Sequence, residues 1–122
     1  MKAVAIRGAV TVENNDAEEI KAATVEMVKN ILDNNDFTKE DIIMVFMTMT
    51  SDLTAYNASS ALRLGLSWDD VPFFTSQEPE IDGGLKKCIR VLIQVQSEKS
   101  KDEINHIYLG EAAKLRPDLK VN

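Results

Sequence analysis

The 122-residue chain contains one cysteine and one histidine, and these scarcities exclude several chemistries before any motif is considered. With Cys88 alone there is no disulfide framework and no cysteine-histidine cluster for a structural metal, and the thiol reads as a buried, reduced one. His106 by itself excludes a two-histidine metal site. It leaves a Ser-His or Cys-His nucleophile only through that one residue, and no nucleophile elbow accompanies it. No apolar run approaches the ~20 residues that a membrane helix needs. The N-terminus passes directly into the strand-like Ala3-Val4-Ala5-Ile6 without a signal-peptide plan, so the reading is a cytoplasmic protein with no membrane partner. Positive charge is also short: 14 Lys and Arg against 20 Asp and Glu give a net charge of -6. That balance argues against nucleic acid as a partner.

What is present is an ordinary globular composition, with 44% hydrophobic and 28% charged residues, in a length that suits one domain over 1–122. An anionic small molecule would need a local positive site in this acidic chain, which directs attention to the four arginines, Arg7, Arg63, Arg90 and Arg116. Each follows an aliphatic residue: Ile6, Leu62, Ile89 and Leu115. A guanidinium fork binds a carboxylate through two parallel hydrogen bonds, so several together suit a dianion. The alternative is that each pairs with a surface acid.

Residues 2 to 12 alternate as a strand, with Val4, Ile6, Val10 and Val12 on one face and Ala3, Ala5, Arg7, Ala9 and Thr11 on the other. Asp16 followed by Glu19 marks a capped helix start, and Ile20, Ala23, Thr24, Met27, Val28 and Ile31 form its apolar stripe, ending near 33–36. Thr38 to Asp41 reads as a short turn. Ile42 to Thr50 is apolar on both faces and is expected at the centre of the sheet. Ser51-Asp52 is the expected cap of a brief helical stretch reaching Leu64. Val71 to Thr75 is a short strand held to an edge or a strand start by Pro72. Ser76 to Gly84 is loop chemistry. Cys88 to Gln96 alternates cleanly, placing Cys88, Arg90, Leu92 and Gln94 opposite the apolar Ile89, Val91, Ile93 and Val95. Glu98 to Asp102 is a turn, Ile104 to Leu109 a last strand, and Gly110 to Lys114 a helical turn. The fold class is α+β: a single mixed β-sheet of about five strands with one main helix. One helix covers one face, so a homo-oligomer is expected to bury the other.

Glu78, in a loop between two strands, could hold a substrate hydroxyl or serve as an acid or base; a solvated loop carboxylate is the alternative. Tyr108 could donate to a carboxylate or be a core tyrosine with a satisfied hydroxyl. Asp82-Gly83-Gly84-Leu85-Lys86-Lys87 matches neither phosphate-binding pattern and reads as a tight turn. Met44, Met47 and Met49 belong to a buried strand rather than to a metal site.

Four blocks carry a more specific signal. Ile6-Arg7-Gly8-Ala9-Val10-Thr11-Val12-Glu13, Gly83-Gly84-Leu85-Lys86-Lys87-Cys88-Ile89-Arg90-Val91, His106-Ile107-Tyr108-Leu109 and Leu115-Arg116-Pro117-Asp118-Leu119 resemble, in order, the monofunctional chorismate mutases of the AroH class. The similarity runs from about residue 3 to 119. It implies an isomerase of aromatic amino acid biosynthesis (the shikimate pathway) that converts chorismate to prephenate without a cofactor or metal. It also implies a homotrimer, with the sheets packed into a barrel-like core and active sites between subunits. By resemblance, Arg7 binds a carboxylate, Arg90 meets the ether oxygen and a carboxylate, Tyr108 donates to a carboxylate and Glu78 holds the ring hydroxyl. Arg63 and Arg116 match rim arginines, and Leu115 lies beside the pocket. Phe74, Thr75, Ser76 and Gln77 keep the length of the loop before Glu78. Where the family commonly has a Phe-Pro-Ala run, this chain has Asn57-Ala58-Ser59, and Ser60 replaces a frequently charged residue. A non-catalytic trimeric binder of small dicarboxylates is the rival reading.

Overall fold

The structure is a computed structural model and describes residues 1–115; Arg116 lies outside the described residues. The two strands with the cleanest alternation form one continuous ladder. β1 (Lys2–Thr11) and β4 (Cys88–Ser97) pair antiparallel along their whole length, from Lys2 opposite Ser97 to Thr11 opposite Cys88. β2 (Ile42–Met49) lies antiparallel on the other side of β4, and β3 (Phe73–Gln77) lies parallel on β2. β5 (Ile107–Leu109) adds in parallel to β1. The order is therefore β3-β2-β4-β1-β5, a mixed five-stranded sheet with β4 at its centre.

β2 stands one place from the centre expected for it. Its doubly apolar pattern has another origin: Val45, Met47 and Met49 are buried in the core, whereas Met44 and Phe46 share the opposite face with Leu92 and Phe74. Among the described residues nothing covers that face. Met44 is 36%, Leu92 40% and Phe74 65% exposed.

α1 (Ala17–Asp33) covers the core face through Ile20, Thr24, Met27, Val28 and Ile31. The Asp16 carboxylate accepts the Glu19 N–H at 3.0 Å and caps the helix. Glu19 does not close the box on the Asp16 backbone but reaches farther back, to the Asn14 N–H at 3.1 Å and to Asn14 Nδ2 at 2.9 Å. Each fully buried aliphatic side chain on this stripe contributes roughly 1.5–3 kcal/mol. At the far end of α1 the buried Asn35 donates to Ile31 O at 2.9 Å and Asn105 O at 2.8 Å, and accepts Asn105 N–H at 2.9 Å. This amide clamp fastens the segment leading into β5 to the helix end.

α2 (Ala58–Gly65) begins later than expected because its cap is Asn57, whose Oδ1 accepts the Ser59 N–H at 2.9 Å. Ser51-Asp52 is not a helix cap, since Asp52 is engaged with β4 instead. A 3-10 turn at Lys39–Asp41 and another at Gly110–Lys114 lie where turns were expected, and the last strand is confined to Ile107–Leu109.

The close approach of α1 to β1 depends on Gly8. A Cβ built there would lie 2.8 Å from Ile31 Cδ1 and 2.9 Å from Val91 Cγ1, the latter on a stiff β-branched side chain. Gly8→Ala is therefore expected to destabilise the fold by about 1–3 kcal/mol. The urea midpoint, measured at fixed protein concentration, checks this, and an unchanged midpoint would mean that the helix rides over the extra methyl.

Candidate active site

Strand register assembles the site as a single row across the sheet. Tyr108 of β5 is opposite Ala9 of β1, Ala9 opposite Arg90 of β4, Arg90 opposite Thr48 of β2, and Thr48 opposite Ser76 of β3. The row lies on the face away from α1. Arg7 is the diagonal neighbour of Arg90 on that face, at a separation typically of about 7–8 Å. The small Ala9 between Tyr108 and Arg90 leaves room, and the result is an open cleft of about 260 Å³ lined in part by Arg7, Ala9, Phe46, Thr48, Glu78, Arg90 and Tyr108.

Glu78 follows β3 directly and is not a free loop residue. Its N–H donates to Met49 O at 2.8 Å, extending the β2–β3 ladder by one step. Its Oε1 accepts the Thr48 hydroxyl at 2.5 Å and lies 3.3 Å from Arg90 Nε. Although this second contact is an ion pair by distance, the N–H is not aligned on the carboxylate. Arg90 Nε is buried and makes no hydrogen bond among the described residues. An always-charged donor held this way can donate to an anionic oxygen with little rearrangement.

Arg90 enters the row from a tightly fixed strand start. Lys87 adopts a positive φ of 49°, and its N–H donates to Asp52 Oδ1 at 3.1 Å and Oδ2 at 3.0 Å. Thr50 accepts the Cys88 N–H at 2.9 Å and donates to Asp52 at 2.5 Å. Burial alone would raise the Asp52 pKa, but the bonds from the Thr50 hydroxyl and the Lys87 N–H outweigh it, and the carboxyl is held below its ordinary value. Cys88 is a buried thiol, as expected, and burial pushes it up to about 11 against the opposing pull of Arg90. It packs with Ala9, Tyr108 and Ala112, flanked by Leu85 and Leu115. Arg7 is set from behind by His106, whose Nδ1 accepts the Arg7 N–H at 2.9 Å and so carries no proton in that bond.

The structure thus brings Arg7, Glu78, Arg90 and Tyr108 to one cleft, with Leu115 beside Tyr108 and Ser76 at the end of the row. Phe74 joins indirectly by stacking on Phe46, with centroids 5.8 Å apart. Gln77 is exposed at the end of β3. Of the described candidates, Asn57, Arg63, Phe74, Thr75, Ser76, Gln77 and Leu115 do not line the cleft in this chain, and three of them are engaged elsewhere. Asn57 caps α2, and Thr75 bonds with the buried Ser59 because alternation in β3 turns it toward α2. Arg63 is exposed on α2 and donates to Ser60 Oγ at 3.1 Å. Thr48, Phe46 and Ala9 were not among the sequence candidates. The alternation of their strands places each on the right face, but only register shows what they stand beside. Among the described residues no group of three or more His, Cys, Asp or Glu could hold a metal ion.

Two guanidiniums, a phenol and a single carboxylate share one open sheet face of an α+β domain. The chain matches the chorismate mutase type I family over residues 3–119 and belongs to that family. It is similar to chorismate mutase AroH of Bacillus subtilis (strain 168), 40% identical over 116 residues that span 95% of this chain and 91% of the relative. It is 38% identical over 117 residues to chorismate mutase AroH of Thermus thermophilus, covering 94% of each. A solved chorismate mutase from Clostridium thermocellum superposes with a TM-score of 0.88 at 38% identity, over 91% of this chain and 98% of that one.

The Asp52 contacts generate a pH prediction. A carboxyl whose folded pKa is depressed contributes stability fully present above its unfolded value, near 3.8, and lost as pH falls through the folded value. Asp52→Asn should therefore lower stability at pH 7 by on the order of 1 kcal/mol, given its partial exposure. The difference from the native chain should shrink at pH 3. Urea midpoints at the two pH values read this, and an equal gap at both would remove the charge from the explanation.

Proposed function

We propose that this chain is a chorismate mutase that rearranges chorismate to prephenate using the cleft of Arg7, Glu78, Arg90 and Tyr108. The observation that carries the reading is the buried Arg90 Nε–H, charged and without a hydrogen-bond acceptor among the described residues, at the centre of the row. The reaction is an intramolecular Claisen rearrangement in which one C–O bond breaks as one C–C bond forms. It involves no proton transfer and no covalent intermediate.

Two physical effects follow from such a cleft. Arg7, Arg90 and Tyr108 grip the carboxylates of a flexible ether side chain, and Glu78 accepts the ring hydroxyl. Together they select the compact conformer in which the reacting carbons meet. As the C–O bond stretches, negative charge grows on the ether oxygen, and a fixed guanidinium stabilises that state more than it stabilises bound substrate.

The working form is a homotrimer built from a single domain spanning 1–122 and located in the cytoplasm. Support for assembly comes from the uncovered apolar face, where Met44, Phe46, Phe74 and Leu92 await cover. Active sites then lie between subunits. Among the described residues no helix is long and apolar enough to cross a membrane.

Purified protein is expected to form prephenate from chorismate well above the spontaneous rate, and a rate no faster than the spontaneous one would refute the reading. Arg90→Ala should lower kcat by ~10²-fold or more while leaving the melting temperature nearly unchanged. Arg90→Lys should recover only part, since an ammonium cannot reproduce the planar fork. For the assembly, light scattering at micromolar concentration should give the mass of three chains; a single-chain mass would contradict it.

A further inference from the structure

We infer that Thr48 is a positioning residue for the reaction, one that holds Glu78 to Arg90 through a single oxygen and so keeps the guanidinium available to substrate. The inference rests on the function proposed above. Three observations carry it. Thr48 stands directly opposite Arg90 in the β2–β4 ladder, so its hydroxyl is fixed by backbone pairing at the level of the guanidinium stem. That hydroxyl donates to Glu78 Oε1, the same oxygen that lies 3.3 Å from Arg90 Nε. The second carboxylate oxygen, Oε2, makes no hydrogen bond among the described residues.

The physical argument concerns what the carboxylate would otherwise do. An arginine beside a free carboxylate tends toward a fork with two parallel hydrogen bonds, the strongest geometry open to the pair. In this cleft such a fork would neutralise Arg90 and occupy the donors that an anionic substrate needs. A threonine hydroxyl on a stiff β-branched side chain, satisfied at Oε1, holds the carboxylate off that geometry. Oε1 is then engaged by Thr48 and Arg90, and Oε2 is left to accept a substrate hydroxyl. The misaligned Arg90 Nε–H is the signature of this arrangement: close enough for charge attraction, without the hydrogen bond that would consume it.

Thr48→Val keeps the shape of the side chain and removes the donor, and Thr48→Ser keeps the donor. Steady-state kinetics of prephenate formation by the assembled native protein, Thr48→Val, Thr48→Ser, Glu78→Gln and the Thr48→Val/Glu78→Gln double variant test the inference. Thr48→Val should lower kcat/KM about tenfold, mostly through a higher KM, because substrate must displace the Glu78–Arg90 fork. Thr48→Ser should stay within about threefold of the native enzyme. In the Glu78→Gln background no fork can form, so adding Thr48→Val should cost less than about twofold. The same loss in both backgrounds would mean a structural role only, and a loss below twofold in the native background would overturn the inference while leaving the proposed function intact. Native protein that makes no prephenate would overturn both, and full activity in Glu78→Gln would remove Glu78, and with it Thr48, from the machinery.

Discussion

The antiparallel pairing of β1 with β4 is the constraint on which the rest of the molecule depends. It brings together strands separated by most of the chain and pins every side chain on both to a defined face. On the core face it stacks Val4, Ile6 and Val10 with Ile89, Val91, Ile93 and Val95, and Gly8 admits α1 against them. On the opposite face it sets Ala9 against Arg90 and Leu92 against Arg7. A slip of one residue would put the arginine of the slipped strand into the apolar core, where an unpaired charge is strongly destabilising. The hydrophobic pattern that selects the register therefore also selects the site.

Around that ladder the site depends on polar contacts made by parts of the chain distant in sequence. Asp52 and Thr50 hold the start of β4 through backbone N–H groups, His106 takes the N–H of Arg7, and Met49 O takes the N–H of Glu78. Each fixes backbone rather than side chain, so the guanidinium and carboxylate heads are not spent on holding the strands in place. This is the arrangement that electrostatic stabilisation favours, since dipoles and charges fixed beforehand need no reorganisation as charge develops.

How much of this was legible in the sequence differs from element to element. The Asp16 cap, the stripe of α1 and the faces of β1 and β4 could be read directly, because a helix period and a strand period of two are local properties. The start of α2 was misplaced because Ser51-Asp52 and Asn57 both offer cap chemistry, and only Asn57 has a helix behind it. The role of Asp52 depends on Lys87, 35 positions away, which no local pattern reports. The centrality of β2 was misjudged by one place, because an apolar pattern on both faces marks an interior strand without telling which of the interior strands is the central one.

The sequence by itself determined that Arg7 and Arg90 leave the apolar face of their strands and, through its four motif blocks, that the chain resembles one enzyme family. Parity along a strand is set by bond geometry, so a list of residues suffices to read it. Only the tertiary structure decided that Tyr108, Ala9, Arg90, Thr48 and Ser76 form one row, that Glu78 meets Arg90 through one oxygen, and that Asn57 and Thr75 turn toward α2. Register between strands is fixed by burying a whole face at once, a property of five strands and a helix together and of no segment alone.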